Sequence, residues 1–155
     1  MLDNMTAILP QLLIVHVIIG LIGVMSSYAV LMGLLQRKVS LGFLKGASWL
    51  AVISYIIAWF TGGYYYVVFY GKAVKPVIKA GAYPWAHTFF METKEHLFLF
   101  LPILAIVLVV LVTLCGQAFD THPKLKKYTA LLAALTASIG IFMALAGVVI
   151  SGAVR

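Results

Sequence analysis

Acidic residues are scarce: four Asp and Glu stand in 155 residues. Charged residues of both signs make up only 10% of the chain, against 64% hydrophobic. A soluble domain is usually about half apolar and about a quarter charged. A water-soluble globule of this length cannot hide so much apolar surface, which excludes a soluble enzyme; the same composition excludes a disordered chain. One cysteine, Cys115, excludes an internal disulfide and a multi-cysteine metal centre. No CxxCH occurs, so covalent c-type haem attachment is excluded. The stretch before Pro10 carries Asp3 and no Lys or Arg, unlike the basic start of a signal peptide, so the first apolar run is expected to be a retained helix.

What is present is length of apolar run. Mean hydropathy is +1.10. Four runs stand out, at about 7–36, 47–71, 97–115 and 128–154. A spanning helix needs about 20 residues at 1.5 Å each to cross an apolar core of about 30 Å. Barrel strands would be about 9–11 residues long and strictly alternating, which this chain is not. The expectation is an all-α integral membrane protein. It is one domain over 1–155, an antiparallel bundle of four transmembrane helices. Helix three is expected to begin near residue 88, because Pro84 suits a helix entry and no breaker lies between it and Pro102.

The net charge of +7 is a topology signal and not a nucleic-acid signal, because the basic residues lie between the runs. Arg37, Lys38 and Lys45 in the first loop join Lys124, Lys126 and Lys127 in the third. The opposite side has Lys72, Lys75, Lys79 and Arg155, with Lys94 at its border. This bias predicts a cell-membrane protein with loops one and three cytoplasmic and both termini outside. The second loop, about 72–86, is expected to be the longest connection. The tyrosines before it, from Tyr64 to Tyr70, read as an interfacial aromatic belt or as one wall of a pocket.

Ionisable residues inside a span usually face the bundle interior or a cavity. His16 lies two turns into helix one; Glu92, Lys94, Glu95 and His96 lie at the head of helix three. With starts at Pro10 and Thr88, His16 and His96 fall about 9 and 12 Å deep on helices running the same way. They are expected to meet at one level. At 100° per residue His16, Gly20, Gly23 and Ser27 share a stripe, and so do Glu92, His96, Leu99 and Ile103. The glycines either admit another helix or leave a flat recess for a planar ligand. Glu92, one turn before His96, is placed to orient its ring. His87 falls on the other face, with Met91 and Lys94, as a weaker ligand candidate.

Two neutral imidazoles at one depth suit haem b, ligated by His16 and His96, with Gly20, Gly23 and Glu92 around it. Electron transfer, between a quinone and an external redox partner, would follow from a closed iron. Copper or zinc with Glu92 or Met91 is a second expectation. A metal transporter or proton relay built on the Glu92–His96 cluster is a third. A non-catalytic subunit of a larger complex or homo-oligomer, with both histidines merely bridging helices, is a fourth. The small residues of helix four (Ala133, Ala137, Gly140, Ala144, Gly147) favour close helix packing.

A helix-one histidine followed by glycines (His16, Gly20, Gly23), a Thr61–Gly62 pair late in helix two and Lys94 entering helix three form a pattern. It resembles the four-helix cores of copper-resistance protein D and of the haem-binding protoporphyrinogen oxidase type, over most of the chain. The resemblance implies that His16 matches the family's helix-one histidine and Lys94 its helix-three lysine, with a haem or copper role. The tyrosine-rich second helix and the Glu92–His96 cluster depart from the pattern, so porphyrinogen oxidation is not carried over.

Overall fold

A computed structural model describes residues 2–154, with side chains from Leu9 onward. The helices are α1 (Leu2–Leu35), α2 (Leu41–Tyr65), α3 (Lys75–Ala80), α4 (Glu92–Leu97), α5 (Phe100–Cys115) and α6 (Pro123–Gly152). Two π-helical segments, Tyr66–Val74 and Ala86–Met91, join them into longer rods. Four spans result: Leu9–Leu35, Leu41–Ala80, Ala86–Ala118 and Pro123–Gly152. Each is long and apolar enough to cross a bilayer, and large apolar side chains such as Ile18, Met25, Phe60 and Leu114 stand exposed around the bundle. The chain is a multi-pass all-α membrane protein.

Helix boundaries differ from the sequence reading, most of all in the first two spans. Helix one does not start near Pro10 but runs through it from Leu2. The second span continues to Ala80, so the expected long loop shrinks to residues 81–85. Its 40 residues are about twice what a span needs, and near its end Ile78 packs with Tyr70, Ala86 and Ile150. Helix three begins at Ala86, close to expectation, on turn bonds from His87 N and Thr88 N to the Pro84 carbonyl. It then breaks at Phe98–Leu99. Pro102 lacks the N–H that would bond the Phe98 carbonyl, and its ring crowds that carbonyl.

Packing is cyclic: α1 lies on α2 and α6, and α5 lies on α2 and α6. Helices one and three were expected to be neighbours; they sit across the bundle from each other. The core has layers. Val30, Leu34, Leu108, Val112 and Phe119 fill the end near loops one and three. Val24, Tyr55, Leu101 and Ala105 fill the middle. Tyr70, Ile78, Ala86 and Ile150 fill the end near loop two.

The His16 stripe faces α2, which resolves the two uses open to its glycines. A Cβ on Gly23 would lie 2.8 Å from the Tyr55 ring, and one on Gly20 3.9 Å from Ala58. The recess is filled by a helix and not left for a planar ligand. The Tyr55 hydroxyl bonds Ser27 at 3.2 Å, and a Cβ on Gly140 would sit 2.8 Å from that hydroxyl. Ala133, Ala137 and Gly140 are buried, as close packing of helix four requires.

Gly23→Val should therefore cost about 1–3 kcal/mol by overpacking. Gly46→Ala, where a Cβ meets nothing within 4 Å, should be neutral or stabilising by up to about 1 kcal/mol. Thermal unfolding of the two variants in detergent checks both.

Candidate functional site

The loop-two half of the bundle holds His16, His87, Glu92, Lys94, Glu95 and His96. His16, half-buried, lays its ring across Gly62 of α2, where a Cβ would stand 2.6 Å from Nδ1. Nδ1 lies 2.7 Å from the Ala58 carbonyl. A carbonyl only accepts, so Nδ1 carries the proton and Nε2 keeps its lone pair. This geometry explains Gly62: any larger residue would push the imidazole off its acceptor.

Helix three presents a different face from the one expected. The stripe of Glu92, His96, Leu99 and Ile103 exists, but all four residues are exposed. His96 turns Nδ1 to the Glu92 carbonyl of its own helix at 2.6 Å. The inward stripe runs through His87, Lys94, Leu101 and Ala105. Leu101, Ala105, Leu108 and Val112 are buried below it. The grouping of His87 with Met91 and Lys94 was right, and the choice of inner face was inverted. The Lys94 ammonium reaches helix four, 3.5 Å from where a Cβ on Gly147 would be. Of the features behind the family resemblance, His16 and Gly62 are in contact, and Lys94 lies on the inward stripe of helix three.

The Glu92 carboxylate does not orient His96. It reaches toward His87, with Oε1 4.0 Å from Nε2. His87 is the most enclosed ionisable group here, 1% exposed, and its Nδ1 meets the Tyr70 hydroxyl at 2.9 Å. Its Nε2 is buried without a hydrogen-bond partner. Tyr70 stacks on Tyr66, ring centroids 5.4 Å apart, and the Tyr66 hydroxyl lies beside the Glu95 carboxylate. Glu95 Oε1 and Trp59 Nε1 are also buried without partners. Tyr66 and Tyr70 lie in one π-helical segment and His87 in the other. Such segments recur at functional sites. Here they bring three polar rings together under Ile78 and Ile150. Sequence reasoning left His87 as a minor candidate and missed its pairing with Tyr70.

Among the described residues no group of three or more His, Cys, Asp or Glu is placed to hold a metal ion. A bis-imidazole haem between helices one and three does not fit this arrangement. His96 faces outward, Gly20 and Gly23 lie against α2, and the Glu92 carboxylate serves another ring. His16 Nε2 and His87 Nε2 are the interior imidazole nitrogens without a hydrogen-bond partner among the described residues. Cys115 is half-buried against the core layer near loops one and three, and His122 is exposed, its ring bonded to Thr121. No family model, no curated protein and no solved structure matches this chain.

Gly62→Ala should displace the His16 ring and destabilise the protein. In a double-mutant cycle with His16→Ala the two changes should couple by about 1 kcal/mol, since the double variant has no ring left to displace. Unfolding midpoints of the four proteins in one detergent measure the coupling.

Proposed function

We propose that this chain is a cell-membrane proton relay. With both termini outside, as the Lys/Arg bias favours, the relay carries protons between the outer surface and an acid inside the outer half of the bundle. The observation that carries this is His87: a buried imidazole with a hydroxyl on one nitrogen and a carboxylate 4.0 Å from the other. An imidazole takes a proton at one nitrogen and releases one at the other. Glu92, half-exposed, collects the proton from water, and a small side-chain rotation closes its gap to Nε2. Tyr70 takes the Nδ1 proton as it gives its own hydroxyl proton to Tyr66, whose ring stacks on it, and Tyr66 in turn gives its own to Glu95, which has a buried oxygen without a partner to receive it. Buried polar groups left unpaired in a membrane bundle are costly, and a working relay is a physical reason to keep them.

The path is one-sided. Beyond the His16 level the interior narrows to Tyr55 and Ser27, and then to the apolar layer of Val30, Leu34, Leu108 and Phe119. Among the described residues this layer is apolar apart from the Cys115 thiol at its edge, so the proposed relay loads and unloads a site on the loop-two side of it.

A second reading is favoured by the His16 tautomer and by the resemblance to haem-binding four-helix cores. In that reading Nε2 of His16 would hold haem b, with the Ala58 carbonyl fixing the ring through Nδ1. The haem would supply one-electron chemistry when bound, with a quinone or an external protein as redox partner. Protein purified after growth with added haem should then show a Soret band that His16→Ala removes and His96→Ala keeps. No band in the unaltered protein would overturn this reading.

For the relay, infrared spectra of the protein in bilayers after a jump to acid pH report proton arrival as growth of a carboxylic carbonyl band. The Glu95 component is the part missing in Glu95→Gln. Tyr70→Phe should slow its growth about tenfold, the rate equivalent of roughly 1.4 kcal/mol for a lost hydrogen-bonded group. Growth at the unaltered rate in both Tyr70→Phe and His87→Phe would overturn the relay.

A further inference from the structure

We propose that the outer half of the bundle holds an anionic ligand between helices two, three and four, with the Lys94 ammonium and the Trp59 indole N–H as its donors. The proposal stands apart from the relay, which uses neither side chain. Lys94 lies on the inward stripe of helix three and sends its ammonium to Gly147 of helix four, 3.5 Å from where a Cβ would stand. An ammonium in such a place needs a counter-charge, because desolvation is costly and lipid supplies none.

No acid of this chain provides one among the described residues. Glu92 faces His87, Glu95 faces Tyr66, and Asp120 faces Lys126 at the far end of the bundle. Asp3, whose side chain lies outside the described residues, stands 13 residues before His16, about 20 Å along the helix. Glu95 is the next residue to Lys94, and neighbours in a helix point in different directions.

A second, independent donor lies on helix two. Trp59 Nε1 is buried and has no acceptor. Trp59 follows Ala58, whose carbonyl holds His16, so it sits at the same level. Its ring rests on Phe98 at 6.1 Å, and Phe98 N donates to the Lys94 carbonyl one turn back. Lys94 and Phe98 therefore share a face, and Trp59 closes it from helix two. The result is an ammonium without a carboxylate partner among the described residues and an indole N–H without an acceptor, with Phe98 alongside. That chemistry selects a single anionic head on an apolar body, a carboxylate-bearing amphiphile that enters from the lipid. A small carboxylate would satisfy the same two donors without the apolar body.

The test uses the full chain in a nonionic detergent, with tryptophan fluorescence and thermal unfolding as readouts. The probes are laurate, its uncharged analogue dodecanol, and acetate. Laurate should give saturable stabilisation with a tryptophan change, and dodecanol neither. An equal response to acetate would assign the site to small anions and keep the proposal. Lys94→Met should abolish the response, and Trp59→Phe should weaken binding about tenfold, one hydrogen bond to a charged group. Lys94→Arg, which keeps the charge, should retain saturable binding and guards against a folding defect in Lys94→Met. No saturable response to any anion, or equal binding by Lys94→Met and the unaltered protein, would overturn the proposal.

Discussion

One hydrogen bond sets the geometry of the polar half: His16 Nδ1 donating to the Ala58 carbonyl at 2.7 Å. Lipid offers no water to an imidazole, so the ring must find its partner inside the protein. The α2 carbonyl is already part of a helical ladder and has a second lone pair to give. The ring reaches it only because Gly62 has no side chain. That choice fixes the rotation of α1. With His16 on α2, Gly20, Gly23 and Ser27 follow on the same stripe and dock against Ala58, Tyr55 and Ser54. The aromatic packing of Tyr55 against Gly23 and Gly140 then ties helices one, two and four at mid-depth.

From that frame the ionisable groups divide into two sets with different surroundings. His87, Tyr70, Tyr66 and Glu95 form a chain of titratable or hydroxyl groups that begins at exposed Glu92. Lys94 and Trp59 are two donors, the indole N–H without an acceptor and the ammonium without a carboxylate partner among the described residues. The first set is suited to moving a proton, because each member can both give and take one. The second is suited to holding a ligand, because its donors are not committed to an acid of this chain. Both sets lie at the end where the π-helical segments open the backbone spacing, and both stop above the apolar layer of Val30, Leu34 and Phe119.

The architecture was legible because run length against bilayer thickness is a strong constraint, and each of the four runs satisfies it. The level of the histidines was also legible. His16 sits beside Ala58, and the Trp59–Phe98 contact puts Phe98, two residues past His96, at nearly the same height. Facing was not legible on helix three. A helix that is apolar all round gives no moment by which to tell inside from outside. Val107 and Val110 face out while Val109 and Val112 face in, with nothing in their chemistry to separate them. Hence His96 and Lys94 exchanged places relative to expectation. The Tyr70–His87 pair was hidden for another reason. It depends on two π-helical segments and a five-residue connection, neither of which leaves a mark in hydropathy.

The inward setting of His16 and the outward setting of His96 are together the point on which the account stands. Solid-state NMR on the protein in bilayers, with labelled histidine and glycine, measures both in one sample. The account predicts cross-peaks between the His16 ring and Gly62, an unprotonated His16 Nε2, and contacts from the His96 ring to lipid acyl chains. A cross-peak between the two imidazoles, or acyl-chain contacts at His16, would contradict it.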